Sequence, residues 1–224
     1  MNMTRNLFAG VVLSSLLLAG CVSKVTEQSQ YSGFLPSYDG LQEVTTPSGA
    51  KAMRWMAPGF TPGAYNTVVF KQLELYPAPA PTDRVDLNTL QELQSYTSLS
   101  ARNVLSQKFL VVPDLKAAPA GSRTLIMRVA ITGVSASNEG MKWYEVVPVA
   151  AVIGGVSAAT GHRDQNTELY LEADIVDARS GLPVVKVVRK VFGEVLKNDS
   201  QPITANDFKA AIKGVTDDMS ILIK

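Results

Sequence analysis

Apolar and polar residues alternate over several short stretches of this chain, and each stretch predicts a strand. Leu125, Met127, Val129 and Ile131 share one face of Arg123 to Val134. Leu169, Leu171, Ala173 and Ile175 share one face of Thr167 to Val176, with Glu168, Glu172 and Asp174 on the other. Val184 to Val195 forms the next strand. Between the last two, Asp177-Ala178-Arg179-Ser180-Gly181 has the Asp and Gly of a tight connection. A loop of that length sets a register in which Ile175 faces Val185 and Asp174 faces Lys186, so charges pair across strands on a solvated side. The same parity turns Arg189 inward beside Leu171. That requires either a bulge after Val187 or an acidic partner for Arg189. Asn66 to Leu75, with Val68, Phe70, Leu73 and Leu75 and stopped by Pro77, is a further strand, and Phe109 to Val112 a short one.

Two stretches change to helical spacing. Leu87 to Lys108 carries Leu90, Leu93, Ala101, Val104 and Leu105, with a polar gap near Thr97 and Asp83 or Asp86 as cap. Thr204 caps a last helix with Asp207 in its first turn, and Phe208, Ala211, Ile212, Val215, Met219 and Leu222 form its apolar stripe. Pro77 to Pro81 reads as a stiff linker. Tyr31 to Leu41 mixes aromatics with Gly33, Pro36 and Gly40, which no regular element tolerates, so it is expected to cross the domain as an extended arm. The order implies an α+β fold: a mixed or mainly antiparallel sheet of about five strands with helices packed on one face.

The first residues have a different pattern. Arg5 precedes an apolar run from Leu7 to Leu18 and the small residues Ala19 and Gly20, the layout of a secretory signal. About 12 residues fall short of the roughly 20 that a spanning helix needs. Leu18-Ala19-Gly20-Cys21 resembles the lipobox of bacterial lipoproteins. That resemblance implies cleavage before Cys21, a diacylglycerol on its thiol and an acylated amino terminus. Two or three chains hold a protein stably where one binds marginally. Val22 stands where an Asp would retain such a protein in the inner membrane, so the resemblance points to the outer membrane. The expected plan is a signal peptide over 1–20, a lipidated terminus and flexible tether over 21–30 and one domain over 31–224.

A second resemblance lies beyond the arm. Ser32-Gly33-Phe34-Leu35, then Met53-Arg54-Trp55, Pro58, and Tyr65-Asn66-Thr67-Val68-Val69 running to Leu75-Tyr76-Pro77 resemble the bacterial lipoprotein family known as domain of unknown function 3313. The likeness covers Tyr31 to the C-terminus and is densest over Tyr31 to Pro77. It implies a lipoprotein and brings no catalytic residue with it.

Charge and cysteine content narrow the partners. One of 21 basic side chains leaves with the signal, and the remainder balances 20 acidic ones. A neutral chain has no footprint for nucleic acid or anionic lipid. Cys21 is the single cysteine, so once it is lipidated no disulfide forms within the chain. The single histidine, His162, sits in a polar loop and reads as solvated; one histidine with no thiol speaks against a zinc site. No Asp-rich calcium loop, phosphate loop, dinucleotide fingerprint or Gly-x-Ser-x-Gly elbow occurs, and Gly154-Gly155 lacks the Lys of a phosphate loop. Glu168, Glu172 and Asp174 could be paired acids for glycoside chemistry, but read first as the wet side of a strand.

One stretch breaks the rule that connections are polar. Val146 to Ala159 carries no charge and follows Trp143 and Tyr144, aromatics that suit a membrane interface. It is a buried hairpin or short helix, a subunit contact, or a segment that dips into the bilayer. Pro148 argues against one unbroken helix. These features lead to an outer-membrane-anchored lipoprotein facing the periplasm. It is expected to be non-catalytic, without cofactor, and to act as an interaction module in envelope assembly or maintenance. It would touch the membrane through lipid on Cys21 and bind an envelope protein or itself. The alternatives are a self-assembling or channel-like lipoprotein that uses 146–159, and a carboxylate-dependent envelope hydrolase.

Overall fold

The computed structural model describes residues 25–138, 165–198 and 200–224. Its centre is a mixed sheet of eight strands: β1 (Gln42–Thr45), β2 (Lys51–Met56), β3 (Thr67–Val69), β4 (Glu74–Leu75), β5 (Leu110–Val112), β6 (Thr124–Asn138), β7 (Gln165–Asp177) and β8 (Pro183–Leu196). The order is β1-β2-β8-β7-β6-β3-β5, with β4 beside β3 on the same edge of β6. The sheet is therefore mixed, as expected, but three strands wider. Antiparallel pairing runs from β1 to β6, whereas β3, β4 and β5 are joined by parallel pairs.

The missed elements have a physical cause. β1 and β2 close around Thr46 to Ala50, where Gly49 takes a positive φ. β1 has one apolar residue, Val44, and the apolar residues of β2 come as adjacent pairs, Ala52-Met53 and Trp55-Met56, so neither strand alternates visibly. The strand expected over Asn66 to Leu75 is real at both ends and broken between, because helix α1 (Leu87–Leu105) takes over its backbone groups. Ser98 Oγ accepts from Leu73 N, Gln94 donates to Leu73 O, and Arg102 donates to Phe70 O and Lys71 O. The polar gap of that helix is thus turned inward: Thr97 and Ser98 are buried. Asp86 is its cap, accepting from Thr89 N at 2.7 Å.

β7 and β8 pair in the expected register, Ile175 opposite Val185 and Asp174 opposite Lys186. Leu125, Ile131, Leu169, Leu171, Val185 and Val191 face the helices and form the core with Leu90, Leu93, Phe208 and Ile212. A bulge in β6 between Ile131 and Gly133 brings Gly133 opposite Tyr170. A Cβ on Gly133 would lie 3.1 Å from the Tyr170 ring, so glycine there gives that ring its place on the opposite face. Thr204 and Asp207 form a capping box on the short turn Ala205–Phe208, which leads into α2 (Lys209–Leu222).

Gly193 sits where β8 meets that turn. A Cβ there would press on the Asp207 carbonyl oxygen and stand 2.5 Å from Thr167 Oγ1 and 2.8 Å from the Phe208 ring. Overpacking of this kind costs about 1–3 kcal/mol. Gly193→Ala is expected to lower the urea midpoint by a corresponding amount with an unchanged m-value; an unchanged midpoint would show that the turn yields freely.

Candidate functional site

The sheet face turned away from the helices was expected to be wet. It is covered. The arm from Tyr31 to Leu41 lies across it, burying Phe34 and Leu35 against Ala130 and Val188. Tyr31 stacks on Tyr38 at 4.4 Å, and Arg128 lies over the Phe34 ring at 4.6 Å. The arm is therefore extended and packed, as its composition implied.

The charged side chains of β7 and β8 hold the arm down. Glu172, 1% exposed, accepts from Ser32 N at 2.9 Å through Oε1 and from the Tyr38 hydroxyl at 2.6 Å through Oε2. Lys186 Nζ donates to the carbonyls of Ser37 at 3.1 Å and Asp39 at 2.7 Å and lies over the Trp55 ring. The expected pairing of Lys186 with Asp174 is thus right in register and wrong in partner. Under the arm, fixed carbonyls satisfy the ammonium. Farther along, Gln30 donates to the Tyr170 hydroxyl, which donates to Glu168 Oε2 at 2.6 Å, while Lys190 stands 3.8 Å from Glu168 Oε1.

The electrostatics follow from burial. Desolvation, then the Glu172 hydrogen bond, pushes the Tyr38 hydroxyl up to about 12. Tyr170 is raised by burial and by the charge of Glu168. Asp174 is raised by burial, against the pull of Arg128 and Lys186.

On the helix side, Arg189 turns inward beside Leu171 as the parity required, and it finds its acid. Arg189 Nη1 lies 2.7 Å from Asp218 Oδ2 on α2, both side chains buried. Asp218 also accepts from Ser48 N at 2.6 Å and Ser48 Oγ at 2.9 Å. One buried pair therefore ties the β1–β2 turn, β8 and α2 together. Burial pushes the Asp218 carboxyl up, but the Ser48, Thr46 and Arg189 hydrogen bonds outweigh it and hold it below the usual range.

Next to this pair the helices do not fully cover the sheet. A cleft of about 200 Å³ remains, lined on the sheet by Met127, Val129, Ile175, Val185 and Val187 and on α2 by Val215, Met219 and Leu222. Met56 and Leu222, 38% and 43% exposed, lie where it meets solvent. Two buried donors among its lining residues, Thr97 Oγ1 and Arg189 Nε, have no hydrogen-bond partner.

Of the residues singled out in the sequence, Glu168, Glu172 and Asp174 come together on one covered face, and their reading as the wet side of a strand is overturned. Cys21, His162, Trp143, Tyr144 and the segment 146–159 lie outside the described residues. Sequence reasoning missed Asp218 and Ser48, and marked Thr97 only as a polar gap in the stripe of α1. Asp218 was visible as an interruption of the α2 stripe, seven residues after Ala211 and three after Val215. No helix among the described residues is long and apolar enough to cross a membrane.

The family described as "Protein of unknown function (DUF3313)" matches residues 30–219. A relative from Escherichia coli (strain K12), "Uncharacterized lipoprotein YdcL", is 41% identical over 205 residues, covering 92% of this chain and 88% of the relative. Among solved structures, a PelC dodecamer from Paraburkholderia phytofirmans aligns with 75% of this chain and 96% of its own at 11% identity, TM-score 0.34. A putative neuraminyllactose-binding hemagglutinin homolog from Helicobacter pylori aligns with 73% and 79% at 12% identity, TM-score 0.33. At TM-scores of this size neither likeness bears on function or assembly.

Proposed function

This chain belongs to the family described as "Protein of unknown function (DUF3313)", and on that premise we propose that it is an envelope lipoprotein. Its acyl chains sit on Cys21 in the outer membrane, and its domain works from the periplasmic face. There it acts as a non-catalytic interaction module in envelope assembly or maintenance. The name of the 41% identical relative, a lipoprotein, supports the anchor. The single observation that carries the non-catalytic reading is the fate of Glu172. Both of its oxygens are engaged by the arm, which leaves no carboxylate face there for a substrate.

The anchor also sets where a partner can meet the domain. Thr26 is already buried in the fold, five residues after Cys21. At about 3.5 Å per residue that stretch reaches no more than ~18 Å. The domain therefore rides close to the bilayer, and its partner is one that reaches the same layer. Cys21→Ser in the full chain is expected to move the protein from the membrane fraction to the soluble one and to abolish labelling by palmitate, with the melting temperature unchanged. A Cys21→Ser form that stays membrane-bound at high salt would overturn the anchor. In-cell crosslinking that captures no envelope protein would overturn the interaction role.

A further inference from the structure

We infer that the cleft between the sheet and α2 binds a single aliphatic chain that ends in an uncharged hydrogen-bond acceptor, of which an acyl ester is the simplest. The inference does not depend on the modification of Cys21. Protein interiors are close-packed, and a void forgoes the dispersion contacts its walls would otherwise make. An aliphatic cavity of about 150 Å³ already takes up an apolar molecule, and this cleft, at about 200 Å³, is larger. Its walls are almost wholly aliphatic, and Met56, Met127 and Met219 supply thioethers that adapt to an irregular chain.

The polar end is specified by the two unpartnered donors. Thr97 presents a hydroxyl from α1, and Arg189 an Nε–H from β8. Buried donors without acceptors are rare in native proteins, and each calls for an explanation. The charge of Arg189 is already met by Asp218 through Nη1. What its Nε–H lacks is an acceptor rather than a counter-ion, and a carboxylate brought there would meet Asp218. A hydrocarbon with no acceptor would leave both donors unsatisfied. An ester brings an acceptor to Arg189 Nε while its chain runs along Val187 and Met219.

The test uses the full-length protein in vesicles of phosphatidylethanolamine and phosphatidylglycerol. Three photoreactive diazirine probes of equal chain length are compared: a monoacylglycerol, a fatty acid and an alkane. After irradiation, labelled peptides are mapped by mass spectrometry. The monoacylglycerol is expected to label the peptides that contain Val187 and Met219 at least five-fold more than either other probe. Val187→Phe, which fills the cleft, is expected to cut that labelling at least five-fold without lowering the melting temperature. Ala173→Leu fills it from β7 and serves if Val187→Phe misfolds. Labelling confined to other peptides, or undiminished in both filled variants, overturns the site. Equal labelling by the alkane, or stronger labelling by the fatty acid, overturns the assigned headgroup chemistry.

Discussion

Asp218→Ala is expected to destabilise the domain by about 3–5 kcal/mol, because removing one partner of a buried ion pair strands the other charge. For a chain of this size that is a fall of roughly 6–20 °C in Tm. The guanidinium of Arg189 would stay buried on β8, and the Ser48 N–H and hydroxyl would lose their acceptor. The loss should therefore exceed that of Ser48→Ala, which leaves the ion pair in place. An Arg189→Met, Asp218→Leu double variant is expected to recover most of the stability, since a hydrophobic pair of similar volume removes both desolvation penalties. The pH dependence has a definite sign. The Asp218 carboxyl is held below its ordinary value, so its contribution is complete above that value and is lost as pH falls through the lowered one. Thermal melts from pH 7 to pH 3 check this: wild type should lose stability below about pH 4, and the double variant should lose less. A single Asp218→Ala variant that melts like wild type would show that the pair does not hold α2.

Much of this architecture was legible because it is local. Alternation marked β6, β7 and β8, and parity fixed which residues face the helices, down to the choice for Arg189 between a bulge after Val187 and an acidic partner, of which the structure takes the second. What failed was the assumption that charged residues opposite a core must be wet. The outward side of β8 reads Lys186, Val188, Lys190, Phe192, half of it apolar, which is too apolar for a solvated face. That mixture is the mark of a surface covered by another segment, and the covering arm lies more than a hundred residues away in sequence. The cleft was illegible for a related reason. Val215, Met219 and Leu222 belong to one stripe with Phe208 and Ile212, and periodicity cannot tell which of them the sheet fully covers. Only the packed structure shows Phe208 and Ile212 sealed while Leu222 stays open to solvent.

The arm provides the second large effect. Glu172→Ala is expected to release Tyr31 to Leu41 from the sheet while the core beneath the helices stays folded. Hydrogen bonds to a charged group contribute about 1.5–3 kcal/mol each, and Glu172 accepts two from the arm. Tyr38 is half-buried, which places the sum near the lower end, at about 3 kcal/mol. Hydrogen exchange should then show lost protection at Ser32 N–H, with the core strands β6 to β8 still protected. Glu172→Gln keeps an acceptor for Ser32 and should lose less. Alkaline pH is expected to release the same arm in the wild-type protein. Tyr38 is raised from 10 to about 12 and Tyr170 is raised as well, so docking is complete below pH 10 and is lost as pH climbs through the raised values. Trp55 reports this event, since the arm backbone at Gly40 packs on its indole and Lys186 bridges the two. In a Trp143→Phe background, Trp55 fluorescence should change between pH 10 and about 12, ahead of global unfolding, and the change should already be present at pH 8 in Glu172→Ala. A Trp55 signal that moves only with global unfolding, in both proteins, would mean that the arm is held by its apolar contacts and that the charged side chains beneath it are incidental.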